Sequence, residues 1–90
     1  MPGVERSGDA ATCEHTNSGS PNVFANSKGI SRVGLDSAGG TINGPGSPTV
    51  FVNGARVSLP GDAIEGHGSG LHATPYTASP STDVFAGDQE

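Results

Sequence analysis

One cysteine, one tyrosine and no tryptophan stand in 90 residues. A single cysteine, Cys13, excludes an internal disulfide framework, so a chain this small needs another staple for its core. Positive charge is as scarce. Arg6, Lys28, Arg32 and Arg56 face nine acidic groups, for a net charge of −5. With a pI near 4.9, there is no basic patch for a phosphate backbone, and no nucleic-acid partner is expected. No apolar run approaches the ~20 residues of a membrane span. The opening Met1-Pro2-Gly3-Val4-Glu5-Arg6 has no hydrophobic stretch, so no secretory signal is expected. Leu, Ile, Val and Phe together make 16 of the 90 residues, a share low enough to keep disorder as one reading. Charged residues at 14% are too few for a charge-expanded coil. What the chain has in quantity is glycine, 15 residues, with 7 prolines. This composition fits a single loop-rich β-domain over residues 1–90 with some staple, or a disordered segment, and does not fit a helical bundle.

The chain repeats itself. GSPNVFANSKGISRVG from Gly19 and GSPTVFVNGARVSLPG from Gly46 align at a constant offset of 27. Eight of sixteen positions are identical: Gly19/Gly46, Ser20/Ser47, Pro21/Pro48, Val23/Val50, Phe24/Phe51, Asn26/Asn53, Ser31/Ser58 and Gly34/Gly61. Ile30 against Val57 is conservative in the same frame. A fainter third copy is placed at Ser79-Pro80, with two extra residues before Val84-Phe85. Repetition of this kind marks a structural unit used several times.

Each unit reads as β. Val23-Phe24 and Val50-Phe51-Val52 are short β-branched and aromatic runs, entered by Ser-Pro and left by Asn. Asn53-Gly54 is a tight-hairpin signal, because both residues tolerate positive φ. Ala55 to Leu59 is then the return strand, with Val57 inward. Gly8-Asp9, Gly61-Asp62 and Gly87-Asp88 punctuate the chain as turns. No window carries an apolar 3.6 period with helix formers. The expectation is all-β, with short hairpins in pseudo-threefold repeats and little or no helix.

All the cysteine and histidine falls in two groups: Cys13-Glu14-His15, and His67 with His72 in His-Gly-Ser-Gly-Leu-His. In an extended segment, residues 13 and 15 project from one face. His-x4-His has the spacing of structural zinc sites, and one thiolate with three imidazoles makes a closed tetrahedron without a place for catalytic water. Such a site joins residue 13 to residue 72, a long closure for a weak core. The alternative is a buried thiol with three surface histidines.

Other chemistry is weaker. Asp9, Asp36, Asp62, Asp83 and Asp88 offer carboxylates, but turn-forming aspartates account for them more simply. Ser, His and Asp occur without a nucleophile elbow. Gly44-Pro45-Gly46-Ser47 lacks the lysine and helix of a phosphate loop. No enzymatic activity and no small-molecule substrate are expected. Val23, Phe24, Val50, Phe51, Val84 and Phe85 hold equivalent repeat positions and are assigned to the core or to a docking surface.

Gly39-Gly40-Thr41-Ile42, the stretch Gly46-Ser47-Pro48-Thr49-Val50-Phe51-Val52-Asn53-Gly54, Gly61-Asp62 and His67-Gly68-Ser69-Gly70-Leu71-His72 together resemble the PAAR-repeat proteins. Gly8-Asp9 followed by His15 resembles that family's opening turn and first histidine. The likeness covers most of the chain. It implies a small cone of β-hairpins whose broad base docks on a trimeric β-helical spike, one tip per trimer, in a contractile tail. It also implies a structural zinc near the apex, with iron as the other candidate, held by His15, His67, His72 and Cys13. The function so implied is a non-enzymatic tip that sharpens the spike and transiently meets the target cell envelope. With no room for a toxin domain in 90 residues, a phage baseplate tip in the virion is favoured. A bare type VI secretion tip, made in the bacterial cytoplasm before export, is the alternative. A free-standing zinc-binding interaction module is a further reading.

Overall fold

The computed structural model describes residues 2–86, and the Gly87-Asp88 turn and Asp88 lie outside them. Among the described residues, seven short strands follow one another: β1 (Phe24–Ala25), β2 (Lys28–Gly29), β3 (Ser37–Ala38), β4 (Gly40–Gly44), β5 (Phe51–Val52), β6 (Ala55–Arg56) and β7 (Ala63–Ile64). All pairings are antiparallel, as hairpins β1-β2 and β5-β6 and a three-stranded sheet β3-β4-β7. Helical structure among the described residues is a single 3₁₀ turn, Gly70–His72. The protein is all-β. Among the described residues, no helix is long and apolar enough to cross a membrane.

The two clear repeats are superposable in their hydrogen bonding. Ser20 Oγ accepts from the amides of Asn22 and Val23 at 3.2 and 3.0 Å. Ser47 Oγ accepts from Thr49 and Val50 at 3.3 and 3.1 Å. Such serine-to-backbone bonds fix the bend that starts each hairpin. The turns are of the mirror-image type that matches strand twist, with φ of 55° and 64° at Asn26 and Ser27, and 53° and 81° at Asn53 and Gly54. The returning Ile30 and Val57 donate their amides to Val23 and Val50 at 2.9 and 3.0 Å.

A third copy exists, in a register other than the expected one. Ser81, not Ser79, is the equivalent of Ser20 and Ser47: its Oγ accepts from Asp83 and Val84 at 3.3 and 3.0 Å. Ser81-Thr82-Asp83-Val84-Phe85 therefore aligns without any insertion. Its return arm comes from the other end of the chain. Val4 donates to Val84 at 2.9 Å, Gly3 bridges Phe85, and Ser81 donates to Val4 at 2.9 Å. Val4, Ile30 and Val57 are equivalent residues, and the third hairpin is split between the two ends of the described chain.

The units meet on a common axis. Glu5 donates its amide to Ser58 at 3.0 Å, Ser58 donates to Ser31 at 2.9 Å, and Ser31 donates to Glu5 at 2.9 Å. This closed ring of backbone hydrogen bonds is the pseudo-threefold axis itself. Just beyond it, each unit turns on an aspartate. Asp9, Asp36 and Asp62 each accept from the amide of Arg6, Arg32 or Leu59 at 2.9 Å. Arg6 and Arg32 also clamp their aspartates through Nε, at 2.9 and 2.7 Å. Burial pushes the Asp36 carboxyl up, but the bonds from Arg32 and Ser18 outweigh it and hold the group below its ordinary range. These aspartates are turn residues, as the sequence suggests.

Two separate apolar clusters lie along the molecule. The first gathers Val4, Ala25, Ile30, Val52, Val57, Leu59 and Ala86, with Val23 and Val84 packed at its edge. The second gathers Ala11, Cys13, Ala38, Ile42 and Ile64, with Val33 beside it. Val57 points inward as expected and is fully buried. The phenylalanines are not core. Phe24, Phe51 and Phe85 are 58, 55 and 50% exposed, and Val50 is exposed as well. The alternation of a two-residue strand explains this: when Ala25, Val52 and Ala86 turn into the cluster, their neighbours turn out.

Candidate metal centre

Beyond each aspartate turn the chain rises into one hairpin of a second tier. The carbonyls of Asp9, Asp36 and Asp62 accept from Asn17, Ile42 and Thr77 at 2.9, 3.0 and 2.9 Å, which closes each hairpin at its root. The three hairpins differ in length. The first closes through Ala10 and Thr16, the second through Ser37 and Thr41, and the third through Ala63 and Tyr76. The first and third carry the cysteine and all three histidines.

Cys13 and His15 do not share a face of an extended segment. Glu14 has φ 71° and donates its amide to Ala11 at 3.1 Å, so residues 11–15 form a tight turn. Ala11 donates to His15 at 2.9 Å and holds that turn shut. The result is convergence all the same, by a turn rather than by strand alternation. In the third hairpin, His67 donates its amide to His72 at 2.8 Å, and the Gly70–His72 turn bonds back to Ser69 at 3.2 Å. These contacts bring the His67 and His72 rings together.

The four side chains meet. Cys13 Sγ lies 3.4 Å from His15 Nδ1, His67 Nε2 lies 3.1 Å from His15 Nδ1, and His72 Nδ1 lies 3.1 Å from His67 Nε2. All four ligand atoms fall within 4.8 Å of one another. Tetrahedral coordination with bonds of about 2.05 Å to nitrogen and about 2.3 Å to sulfur has edges of about 3.3–3.6 Å. Three of the six separations lie within about 0.3 Å of those edges, and the cluster can hold a metal ion such as zinc.

The proton arrangement agrees. His67 Nδ1 lies 2.9 Å from the Glu65 carbonyl oxygen, which can only accept, so Nδ1 carries the proton and, in the neutral ring, Nε2 is bare. A bare nitrogen aimed at two other ring nitrogens is the arrangement a cation resolves, and a carbonyl behind a ligand histidine is the usual orienting partner. Cys13 is buried and its Sγ also contacts the Ala38 carbonyl at 3.6 Å. His15 is exposed, and His67 and His72 are half-buried.

The second hairpin supplies no ligand but makes room. A Cβ on Gly39 would stand 2.6 Å from His15 Nδ1 and 2.7 Å from His67 Nε2, and its φ of 85° already disfavours a side chain. A Cβ on Gly40 would stand 2.2 Å from the Glu65 carbonyl. Ligand counting along the sequence passes over Gly39 and Glu65. The paired glycines at 39 and 40 are the visible signal for the first, while the second acts through a carbonyl that every residue has. Comparison with known proteins finds no matching family model, no matching curated protein and no matching solved structure.

Proposed function

We propose that this protein is a non-enzymatic, zinc-stapled tip that seats by a three-sided face on a trimeric partner, in the manner of the PAAR-repeat proteins it resembles. The supporting observation is that one chain presents three equivalent hairpins around one axis. Each carries an exposed phenylalanine at the same place, Phe24, Phe51 and Phe85. Large exposed aromatics recurring with threefold regularity suit a threefold trimer, because a single chain then repeats one contact three times. A β-helical spike is the fitting partner, since its last strands end on open edges that the hairpin face covers.

Zinc is the fitting ion. One thiolate with three imidazoles suits its preference for nitrogen and sulfur ligands, and four protein ligands leave no position for a reacting water. The metal therefore serves rigidity. It pins the 10–16 hairpin to the 63–76 hairpin in the tier away from the phenylalanines, where a tip under compressive load needs stiffness. The working place is the end of a contractile tail, in a virion or in a secretion machine.

Docking is tested by replacing Phe24, Phe51 and Phe85 together with serine. Because all three are exposed, the melting temperature is expected to stay within a few degrees of wild type. Assembly with a trimeric β-helical spike, measured by native mass spectrometry, is expected to change from one tip per trimer to none. Retained assembly in the triple variant contradicts this docking face.

A further inference from the structure

Where Ser31 and Ser58 sit on the axis, the first unit has a glutamate. All three residues are fully buried. Ser31 Oγ donates to the Ser18 carbonyl at 2.5 Å and Ser58 Oγ donates to Asp62 Oδ2 at 3.1 Å, so in two units this position supplies a hydroxyl donor. Among the described residues no cation bonds to the Glu5 carboxyl, and the charge of Arg6 acts on it only weakly. The nearest guanidinium, Arg6, gives Nε and Nη2 to Asp9 and Nη1 to Asn26. The other charged groups acting on Glu5 are Asp9 and Asp62, both negative.

Its one hydrogen-bond partner is an amide. Asn17 Nδ2 donates to Glu5 Oε1 at 2.8 Å. Among the described residues, two buried side-chain oxygens are left without a partner, Glu5 Oε2 and Asn17 Oδ1. They belong to the same acid–amide pair. A proton on Oε2 turns that pair into a two-bond ring, with the amide donating to Oε1 and the acid donating to Oδ1. Both orphaned oxygens are satisfied at once, as buried polar groups require.

We propose that Glu5 carries its proton in the folded protein at neutral pH, and that folding takes up a proton at the axis which unfolding releases. The first unit then matches the other two, with a neutral O–H donor at the ring. The energetics agree in direction. Burial is the largest effect on this carboxyl, the Asn17 bond opposes it, Asp9 and Asp62 add to it and Arg6 offsets them least, so that the group is raised from 4.5 to about 8. A folded value above the unfolded one means stability is full below about 4.5 and is lost as pH rises, until the loss levels off above about 8.

The test compares the zinc-loaded full chain with its Glu5→Gln variant, whose amide keeps both bonds to Asn17 without a titratable proton. Urea unfolding is followed from about pH 5 to about pH 9. The ratio of wild-type to variant unfolding constants is expected to rise about tenfold per pH unit and then level off near the folded value. Taking the ratio cancels the pH dependence of the metal ligands, which both proteins share. A ratio that stays flat overturns the proposal. A second readout needs no variant: the Glu5 carboxyl carbon in ¹³C NMR of the wild type at pH 7. A protonated-acid shift supports the proposal, and a carboxylate shift overturns it.

Discussion

Gly39 shows how a residue without a side chain shapes a site. The two histidines it faces occupy the volume where its Cβ would be, and its backbone is left-handed. Gly39→Ala is therefore expected to do two things. The left-handed backbone costs about 1 kcal/mol in stability, and the displaced imidazoles weaken zinc binding by at least about tenfold. Competition with a chromogenic chelator measures the second effect. Unchanged zinc affinity in this variant would mean that the rings do not need that space. Glu14 is the complementary case. It takes up a left-handed conformation with a side chain in place, and nothing in its residue type announces the turn that joins Cys13 to His15.

At the scale of the hairpin, the same tight turn is built twice from different residues. Asn53-Gly54 is the favoured pairing, whereas Asn26-Ser27 puts a serine at φ 64°. Ser27→Gly relieves that conformation, and the net gain after the added freedom of the unfolded chain is about 0.5 kcal/mol, or about 2–4 °C in Tm. A lower Tm would show that the serine makes a contact the turn depends on. The hairpins also show where sequence reading succeeds and stops. Val23-Phe24 and Val50-Phe51-Val52 are legible because their signals are local: β-branched runs, an Asn at the turn, a constant offset. The third hairpin is harder. Ser79-Pro80 mimics the Ser-Pro opening of the other two, and draws the eye from Ser81, where the unbroken Ser-x-x-Val-Phe spacing lies. Its return arm, Gly3-Val4, is far away in sequence, and a pairing of that range leaves no local trace. Repetition alone also could not separate core from surface at the phenylalanines, since both are repeated. The two-residue strand length settles that, with Ala25, Val52 and Ala86 inside.

For the whole molecule, the proposed metal site and the axis divide the work. The backbone ring through Glu5, Ser31 and Ser58 organises the first tier, where seven buried apolar residues pack. The second tier has five buried apolar residues, one of them Cys13 of the Cys/His cluster, so on the proposed reading its order depends more heavily on an ion held there. The ligand set was readable in the sequence because every cysteine and histidine falls into two clusters. The distances that make the clusters one site belong to the fold. The central claim is that this site is occupied and holds the protein together. It is tested by metal analysis of the purified chain with thermal melts before and after chelation. The account predicts about one zinc per chain and a fall in Tm of at least about 20 °C on its removal. A chain purified without bound metal, with a melt that chelators leave unchanged, would contradict it.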